Sequence, residues 1–461
     1  MSIVNIETIG KKLGSLPQEI LSHPNLQDFV NGVNNLIRDN PVVLEWIKRI
    51  IESMNDYTFK RFTETFVKSV IMESMPLRRR FLEENGITAP FTIVINPTMR
   101  CNLMCTGCYS FKYSKGDMEY EYIRKLLSEV RAYGVRFITV SGGEPLLYEK
   151  IFDIACEYSD MVFLMYTNGL LIDSRVADEI AHCGNIFPAI SVEGFRDETD
   201  ERRGKGVFDI VVEAMKLLKE RGVFFGFSVT PTSRNSDVLV TDEFIDFFID
   251  KGVLFGWLFT YIPVGKNPDV SLMASPQQRE LLRRKTREWA FSKPIFIGDF
   301  FNDGVCTGGC LSASRYCYVT VEGDVQPCTF VQFATHNIKT SSFIEVWRSP
   351  LFEKIRNRQP YTKNLLRVCK IIDNPSILPE IVYETQARPT CDGAEEIILN
   401  QSIRNFLTDY AQKWGLIADR VWNSDEYKCG SDVYIPFVGR RDVFSWFIHL
   451  RGKFKDTENN F

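Results

Sequence analysis

The sequence predicts an α/β protein: a parallel sheet covered by helices, set between a helical N-terminal region and a small α+β C-terminal domain. Three observations carry this. From Phe91 to about Tyr261, apolar runs of strand length alternate with amphipathic runs of helix length, one pair roughly every 25–35 residues. The strand-length runs are apolar nearly throughout, as strands buried on both faces are, and such strands belong to parallel sheets. Before Phe91 apolar residues recur at helical spacing, and after Pro294 the alternation breaks off. The domains read on this basis are 1–88, 89–295, 296–395 and a helical tail, 396–461.

Residues 1–88 contain no Cys and one His, His23. Asp39-Asn40-Pro41 supplies an N-cap followed by Pro at the first turn, after which Val42, Val43, Trp46, Ile47, Ile50 and Ile51 fall on one face. A second helix from about Asp56 gathers Phe59, Phe62, Phe66, Val70 and Ile71 and ends at Arg78-Arg79-Arg80, which reads as a solvated end. The region reads as a scaffold; the alternative is an aromatic, base-tipped surface that lies on a membrane or clasps a greasy substrate. The predicted strands are Thr92 to Ile95, Phe137 to Ser141, Val162 to Tyr166, Phe187 to Ser191, Phe224 to Val229 and Leu254 to Tyr261. Between them lie helical runs such as Tyr122 to Tyr133, Val176 to His182, Ile210 to Lys219 and Glu243 to Asp250.

Composition narrows the function. Lys and Arg total 55 against 59 Asp and Glu, a net charge of -4, so no sequence-blind grip on nucleic acid is expected. Met1 to Gly10 lacks the basic and apolar regions of a secretion signal, and no window of about 18 residues is free of charge. A cytoplasmic protein that spans no membrane is the expectation. Twelve cysteines in such a chain argue for metal or redox use rather than a disulfide framework.

The densest chemistry follows the first strand. Cys101, Cys105 and Cys108 are spaced four and three residues apart, and chance would place that spacing in a chain of this composition about 0.008 times. Three thiolates from one loop can hold three irons of a [4Fe-4S] cluster and leave the fourth open; zinc normally takes four closed ligands. With Tyr109 directly after the third thiol, the loop resembles the CxxxCxxC motif of the radical SAM superfamily. That resemblance implies an open, TIM-like (β/α)6 partial barrel. It also implies a cluster that reductively cleaves S-adenosylmethionine to a 5′-deoxyadenosyl radical, which takes hydrogen from an unactivated carbon. In such a barrel the loops at the C-terminal strand ends carry the chemistry, and the remaining motifs fall there. Ser141-Gly142-Gly143-Glu144-Pro145 resembles the GGEP element, whose role in holding the methionine amino group passes to Gly142, Gly143 and Glu144. Thr167 and Asn168 follow the third strand, where an amide can reach ribose hydroxyls or the carboxylate, although Asn168-Gly169 is also a common turn. Ser191 ends the fourth strand, and the resemblance favours Arg203, next to Gly204, as partner of the methionine carboxylate. Trp257, Phe259 and Tyr261 on the sixth strand suit either a substrate wall or barrel core. Cys156 and Cys183 read as ordinary buried small side chains.

A second group of thiols comprises Cys306, Cys310, Cys317, Cys328, Cys369 and Cys391. Cys310, twelve residues, Gly323, four residues, Cys328, with a hairpin between, resembles the start of the SPASM or twitch extension. The dense cysteine run of a full SPASM domain is missing, which implies one auxiliary cluster, expected as [4Fe-4S]. Cys369 and Cys391 are the candidates to complete it, with Cys306 and Cys317 as competitors. The tail carries an aromatic segment, Val443 to Leu450, flanked by basic residues, that suits either packing or a peripheral membrane contact.

No acid, base or other catalytic side chain is identifiable, His182 and His336 reading as helix-end and loop residues. The expected partners are S-adenosylmethionine, an unknown organic substrate and a reducing flavodoxin or ferredoxin. The aromatic helices and apolar sixth strand favour a lipid tail or other apolar molecule as substrate. The alternatives are a peptide or protein maturase, which would need a leader-docking domain that the helical first 88 residues do not resemble, and a non-catalytic iron–sulfur electron carrier.

Overall fold

The computed structural model describes residues 12, 16–114, 116–265 and 267–424. Cys429 and the segment Val443 to Leu450 lie outside the described residues. The predicted strands appear as β1 (Thr92–Ile95), β2 (Phe137–Val140), β3 (Val162–Thr167), β4 (Ile186–Val192), β5 (Gly226–Val229) and β6 (Phe255–Leu258). Each pairs in parallel with the next, in register from Thr92 opposite Phe137 to Phe255 opposite Gly226. Past Leu258 the ladder continues irregularly, Phe259 N donating to Val229 O and Tyr261 N to Pro231 O (both 3.0 Å).

The sheet is larger than the six predicted strands. Phe296–Asp299 forms β7, parallel to β6, where the sequence pattern had broken off. On the opposite edge β8 (Tyr316–Val319) lies parallel to β1, Thr92 opposite Tyr316, and β9 (Val325–Gln326) turns back antiparallel to it. The order is therefore β7-β6-β5-β4-β3-β2-β1-β8-β9, and the hairpin predicted between Cys310 and Cys328 is an integral edge of the main sheet.

The N-terminal helices are α1 (Leu26–Asp39), α2 (Val42–Ser53), α3 (Asp56–Phe62), which runs on as a π-helix over Thr63–Glu73, and α4 (Ser74–Asn85). Their apolar faces close the N-terminal end of the barrel. Phe62 meets Phe187 (5.8 Å) and Phe224 (5.1 Å), Phe224 stacks on Phe255 (5.2 Å), and Trp46 Nε1 donates to Leu254 O (2.7 Å). Ile50, Ile51, Phe59, Phe62 and Val70 share one buried cluster with Val162, Phe187 and Phe255. The aromatic faces that suggested a membrane are thus spent on the sheet. Arg78, expected at a solvated end, is 6% exposed and donates to Ala89 O (3.2 Å), while Arg79 and Arg80 stay exposed.

The outer layer holds α5 (Tyr120–Ala132), α6 (Ile151–Glu157), α7 (Ser174–Cys183), α8 (Arg196–Arg203), α9 (Val207–Glu220), α10 (Asp242–Asp250) and α11 (Pro276–Ser292). The long α12 (Gln401–Trp422) buries Ile403, Leu407, Tyr410 and Trp414 and packs on α11, with the Arg279 guanidinium 4.2 Å from the Trp414 ring. No helix of the described residues is long and apolar enough to cross a membrane.

Candidate active site

The site forms where the parallel strands end. From β1 the chain runs through residues 96–100 into the thiol loop, and this approach is laced to the end of β2. Ser141 N donates to Ile95 O (2.9 Å), Gly143 N to Thr98 O (2.9 Å) and Glu144 N to Arg100 O (2.8 Å). Two backbones this close leave no room for a side chain. A Cβ on Gly143 would stand 2.6 Å from Arg100 C and 2.7 Å from Met99 C, and one on Gly142, at φ +121°, would run into the Thr98 carbonyl. The far side of the loop is clasped by α8: Thr106 N donates to Arg202 O (3.0 Å) and Arg202 Nε to Thr106 O (3.2 Å).

Cys101, Cys105 and Cys108 carry free thiols and line one cavity of about 330 Å³. Burial pushes the Cys101 thiol up, and Cys105 and Cys108 are close enough to add to the effect. Among the described lining residues there is no Asp, Glu, His or fourth Cys to complete the trio. Nor do any three His, Cys, Asp or Glu side chains among the described residues close on a point as ligands of a single metal ion would. Three soft donors with no fourth suit an iron–sulfur cluster with an open iron better than zinc.

Seven more of the predicted residues share that cavity: Tyr109, Gly142, Gly143, Thr167, Asn168, Ser191 and Arg203. The Tyr109 hydroxyl lies 2.7 Å from Ser141 Oγ, and burial pushes it up to about 12. Asn168 Nδ2 donates to Asn102 Oδ1 (2.7 Å) and lies 4.0 Å from Cys101 Sγ. Ser191 Oγ is 3.3 Å from Ser228 Oγ. Arg203 is anchored on buried Glu193 (Nε to Oε1, 2.8 Å), a carboxylate that also pairs with Arg202 and accepts from Thr230 N (3.2 Å). Glu144 does not line the cavity. It is 1% exposed and accepts from Thr167 Oγ1 (2.7 Å), Asn168 N (2.8 Å) and Leu146 N (3.1 Å), so it braces the end of β3 from behind. Burial pushes its carboxyl up.

Deeper in the barrel the walls are aromatic. Trp257 stacks on Phe259 (6.1 Å), Phe259 meets Tyr166 edge-on (5.5 Å), and Phe137, Phe300 and Tyr316 complete the lining. Trp257 and Tyr261 are cavity wall as well as core, and Phe259 is partly buried cavity wall packed against the core. Sequence reading missed Glu193 as the arginine anchor, although its place at a strand end was a usable signal. It also missed Arg78 and Arg315 in the lining, for which no local signal exists.

The second group of thiols divides. Cys310, Cys328 and Cys369 surround the buried Lys370, whose ammonium is 3.9 Å from Cys310 Sγ and 2.7 Å from Ser312 Oγ. Cys391 adjoins Tyr113, with Asp392, Glu395 and Glu322 nearby. Cys306 sits by Asp303, and Cys317 is fully buried in β8. Cys156, expected to be buried, is exposed, with its sulfur 3.2 Å from that of Cys183.

Residues 95–244 match the Radical SAM superfamily, and residues 310–371 match the SPASM iron-sulfur cluster-binding domain. The chain is a radical SAM enzyme. Among the relatives of this radical SAM enzyme, the AdoMet-dependent heme synthase of Methanosarcina barkeri is 24% identical over 300 residues, 58% of this chain and 85% of that protein. The mycofactocin maturase MftC of Mycolicibacterium smegmatis is 27% identical over 299 residues, 60% of this chain and 75% of its own. Of solved structures, Streptococcus suis SuiB bound to S-adenosylmethionine shares the fold with a TM-score of 0.54 at 20% identity, over 65% of this chain and 77% of SuiB. The radical SAM enzyme accordingly uses a [4Fe-4S] cluster, S-adenosylmethionine and an auxiliary iron–sulfur cluster.

Proposed function

We propose that Cys101, Cys105 and Cys108 hold three irons of the first cluster, and that S-adenosylmethionine lies between them and Gly142, Gly143, Thr167, Asn168, Ser191 and Arg203. The substrate on this reading is a lipid tail or other apolar molecule whose reacting end enters the aromatic barrel. The observation that carries the reading is the continuity of one cavity from the three thiols into walls of Trp257, Phe259, Phe300 and Tyr316.

Bound there, the cluster and its nucleotide supply a 5′-deoxyadenosyl radical that abstracts hydrogen from an unactivated carbon, the electron coming from a reduced flavodoxin or ferredoxin. The chain's part is placement. Arg203, held on Glu193, presents a fixed charge toward the methionine carboxylate. The close-docked glycines expose backbone where the amino group would sit, and Glu144 keeps Thr167 and Asn168 in position rather than touching the ligand. The closed barrel floor and aromatic walls keep water from a reactive intermediate. About 330 Å³ lies at the low end of small-molecule sites, roughly 300–1,000 Å³. Because the nucleotide shares it, only the end of a larger molecule fits. The N-terminal helices are committed to closing the barrel, which favours this reading over a peptide-docking module. Relatives named as synthases of heme and of Fe-coproporphyrin III also favour a small molecule.

Anaerobic incubation with S-adenosylmethionine and dithionite is expected to release 5′-deoxyadenosine, and a perdeuterated fatty acid to pass deuterium into it. Deuterium arriving only from peptides would overturn the substrate class. The Cys101→Ala/Cys105→Ala/Cys108→Ala variant should contain about four irons fewer than wild type; equal iron would refute the first-cluster assignment.

A further inference from the structure

Taking Cys328 as a ligand of the auxiliary cluster, as the SPASM match over residues 310–371 supports, we infer that Tyr316 is a positioning residue. It sets the reduction potential of that cluster from the wall of the cavity proposed above to take the substrate. Tyr316 opens β8, opposite Thr92 of β1, and lines the cavity. Its hydroxyl donates to Cys328 Sγ (2.9 Å). A phenol keeps its proton at neutral pH, so the hydroxyl is the donor and the sulfur the acceptor. A donor aimed at a ligand sulfur favours the more negative, reduced form of a cluster and raises its potential. Tyr316 is 6% and Cys328 8% exposed, so little water competes for the bond, and burial strengthens it. Cys310 and Cys328 both lie within electrostatic reach of the buried Lys370, an ammonium that negative charge on bound thiolates would offset.

The hairpin holds the ring and the sulfur to each other. β9 turns back on β8 with Gln326 opposite Tyr318. Pro327, the residue before Cys328, accepts from Ala313 N (3.0 Å) and Ser312 Oγ (2.8 Å), just upstream of Tyr316. On the cavity side Phe300 meets the Tyr316 ring edge-on (5.7 Å) and packs in turn on Phe259 (5.4 Å). The phenol is thus one rigid piece with two ends, its ring in the cavity wall and its hydroxyl on the sulfur. The neighbouring thiols have donors of another kind: the Ile371 N–H to Cys369 Sγ (3.3 Å) and the Lys370 ammonium 3.9 Å from Cys310 Sγ. Neither Ile371 nor Lys370 is among the described lining residues. Of these three donors, Tyr316 is the one that faces the cavity.

The test uses the full chain carrying Cys101→Ala/Cys105→Ala/Cys108→Ala, reconstituted anaerobically, so that the auxiliary iron is read alone. Adding Tyr316→Phe keeps the ring and removes only the hydroxyl. This variant is expected to keep its iron. Its midpoint potential, titrated by electron paramagnetic resonance, is expected to fall by the equivalent of about a tenfold change in the reduction equilibrium, about 59 mV for one electron. After exchange into D2O, the reduced protein is expected to lose one deuteron coupling from its electron–nuclear double resonance spectrum. A merely structural tyrosine would lose iron on this substitution or leave the potential where it was, and either result would overturn the inference. Adding Cys328→Ser instead is expected to remove most of the auxiliary iron; full iron there would refute the ligand assignment itself, separately from the role of Tyr316. Deuterium transfer from the fatty acid in wild-type protein tests the use of the cavity independently.

Discussion

Replacing Gly143 by Ala tests whether the docking of two backbones positions the thiol loop. The added Cβ would lie 2.6 Å and 2.7 Å from Arg100 C and Met99 C, where carbons rest at about 3.5 Å or more. One backbone must therefore withdraw by roughly 0.9 Å or more, since the Arg100 carbonyl oxygen is nearer still, and both are tied by the bonds from Gly143 N to Thr98 O and Glu144 N to Arg100 O. Overpacking of a close-fitted site costs about 1–3 kcal/mol, and with rigid chain on both sides the upper end applies, near a hundredfold in the folding equilibrium. Gly86→Ala is the control: at φ +69° with nothing within 4 Å of a Cβ, it carries left-handed strain alone, about 1–2 kcal/mol. Urea unfolding and iron content separate the two. Gly143→Ala should lose both stability and first-cluster iron, while Gly86→Ala should lose stability and keep its iron. Full iron and undiminished 5′-deoxyadenosine release in Gly143→Ala would refute the idea that this abutment holds the loop.

Three further outcomes are expected. Asp373→Ala strands the buried Arg279 guanidinium, both side chains being fully buried, and should cost about 3–5 kcal/mol in denaturant unfolding. Burial holds the Asp299 carboxyl above its usual 3.8. The folded state thus keeps this proton longer than the unfolded chain, and the stability it lends is full below about pH 3.8 and lost as pH rises through the folded value. Asp299→Asn should flatten that decline in unfolding free energy as pH rises above about 3.8. Finally, mild oxidation should join Cys156 and Cys183, whose sulfurs lie 3.2 Å apart, seen as the loss of two titratable thiols that Cys156→Ser prevents.

The barrel was legible because β1 to β6 are apolar on both faces and separated by amphipathic helices, so a periodicity of two never needed to be resolved. β7 escaped because Phe296–Asp299 is only four residues, follows Pro294, and contains a Gly and an Asp that read as loop. The three thiols were legible as a local spacing, whereas the second group depends on how separated segments meet: Lys370 follows Cys369 in the sequence, but only the fold brings Cys310 and Cys328 to it. Glu144 illustrates a different limit. Its motif located the strand end correctly, but which way the carboxylate turns is decided by the orphan N–H of Asn168 and the hydroxyl of Thr167. Arg78 and Arg79 look alike in a row of three arginines, and only helix rotation buries the first.

The helices packed under the sheet turn the barrel from a passage into a blind-ended chamber. Phe62, Phe224 and Trp46 plug its lower mouth, and the cavity above them reaches up to the thiol loop. On the reading proposed above, a guest lodged against Trp257 and Phe259 would enter before the nucleotide and leave after it.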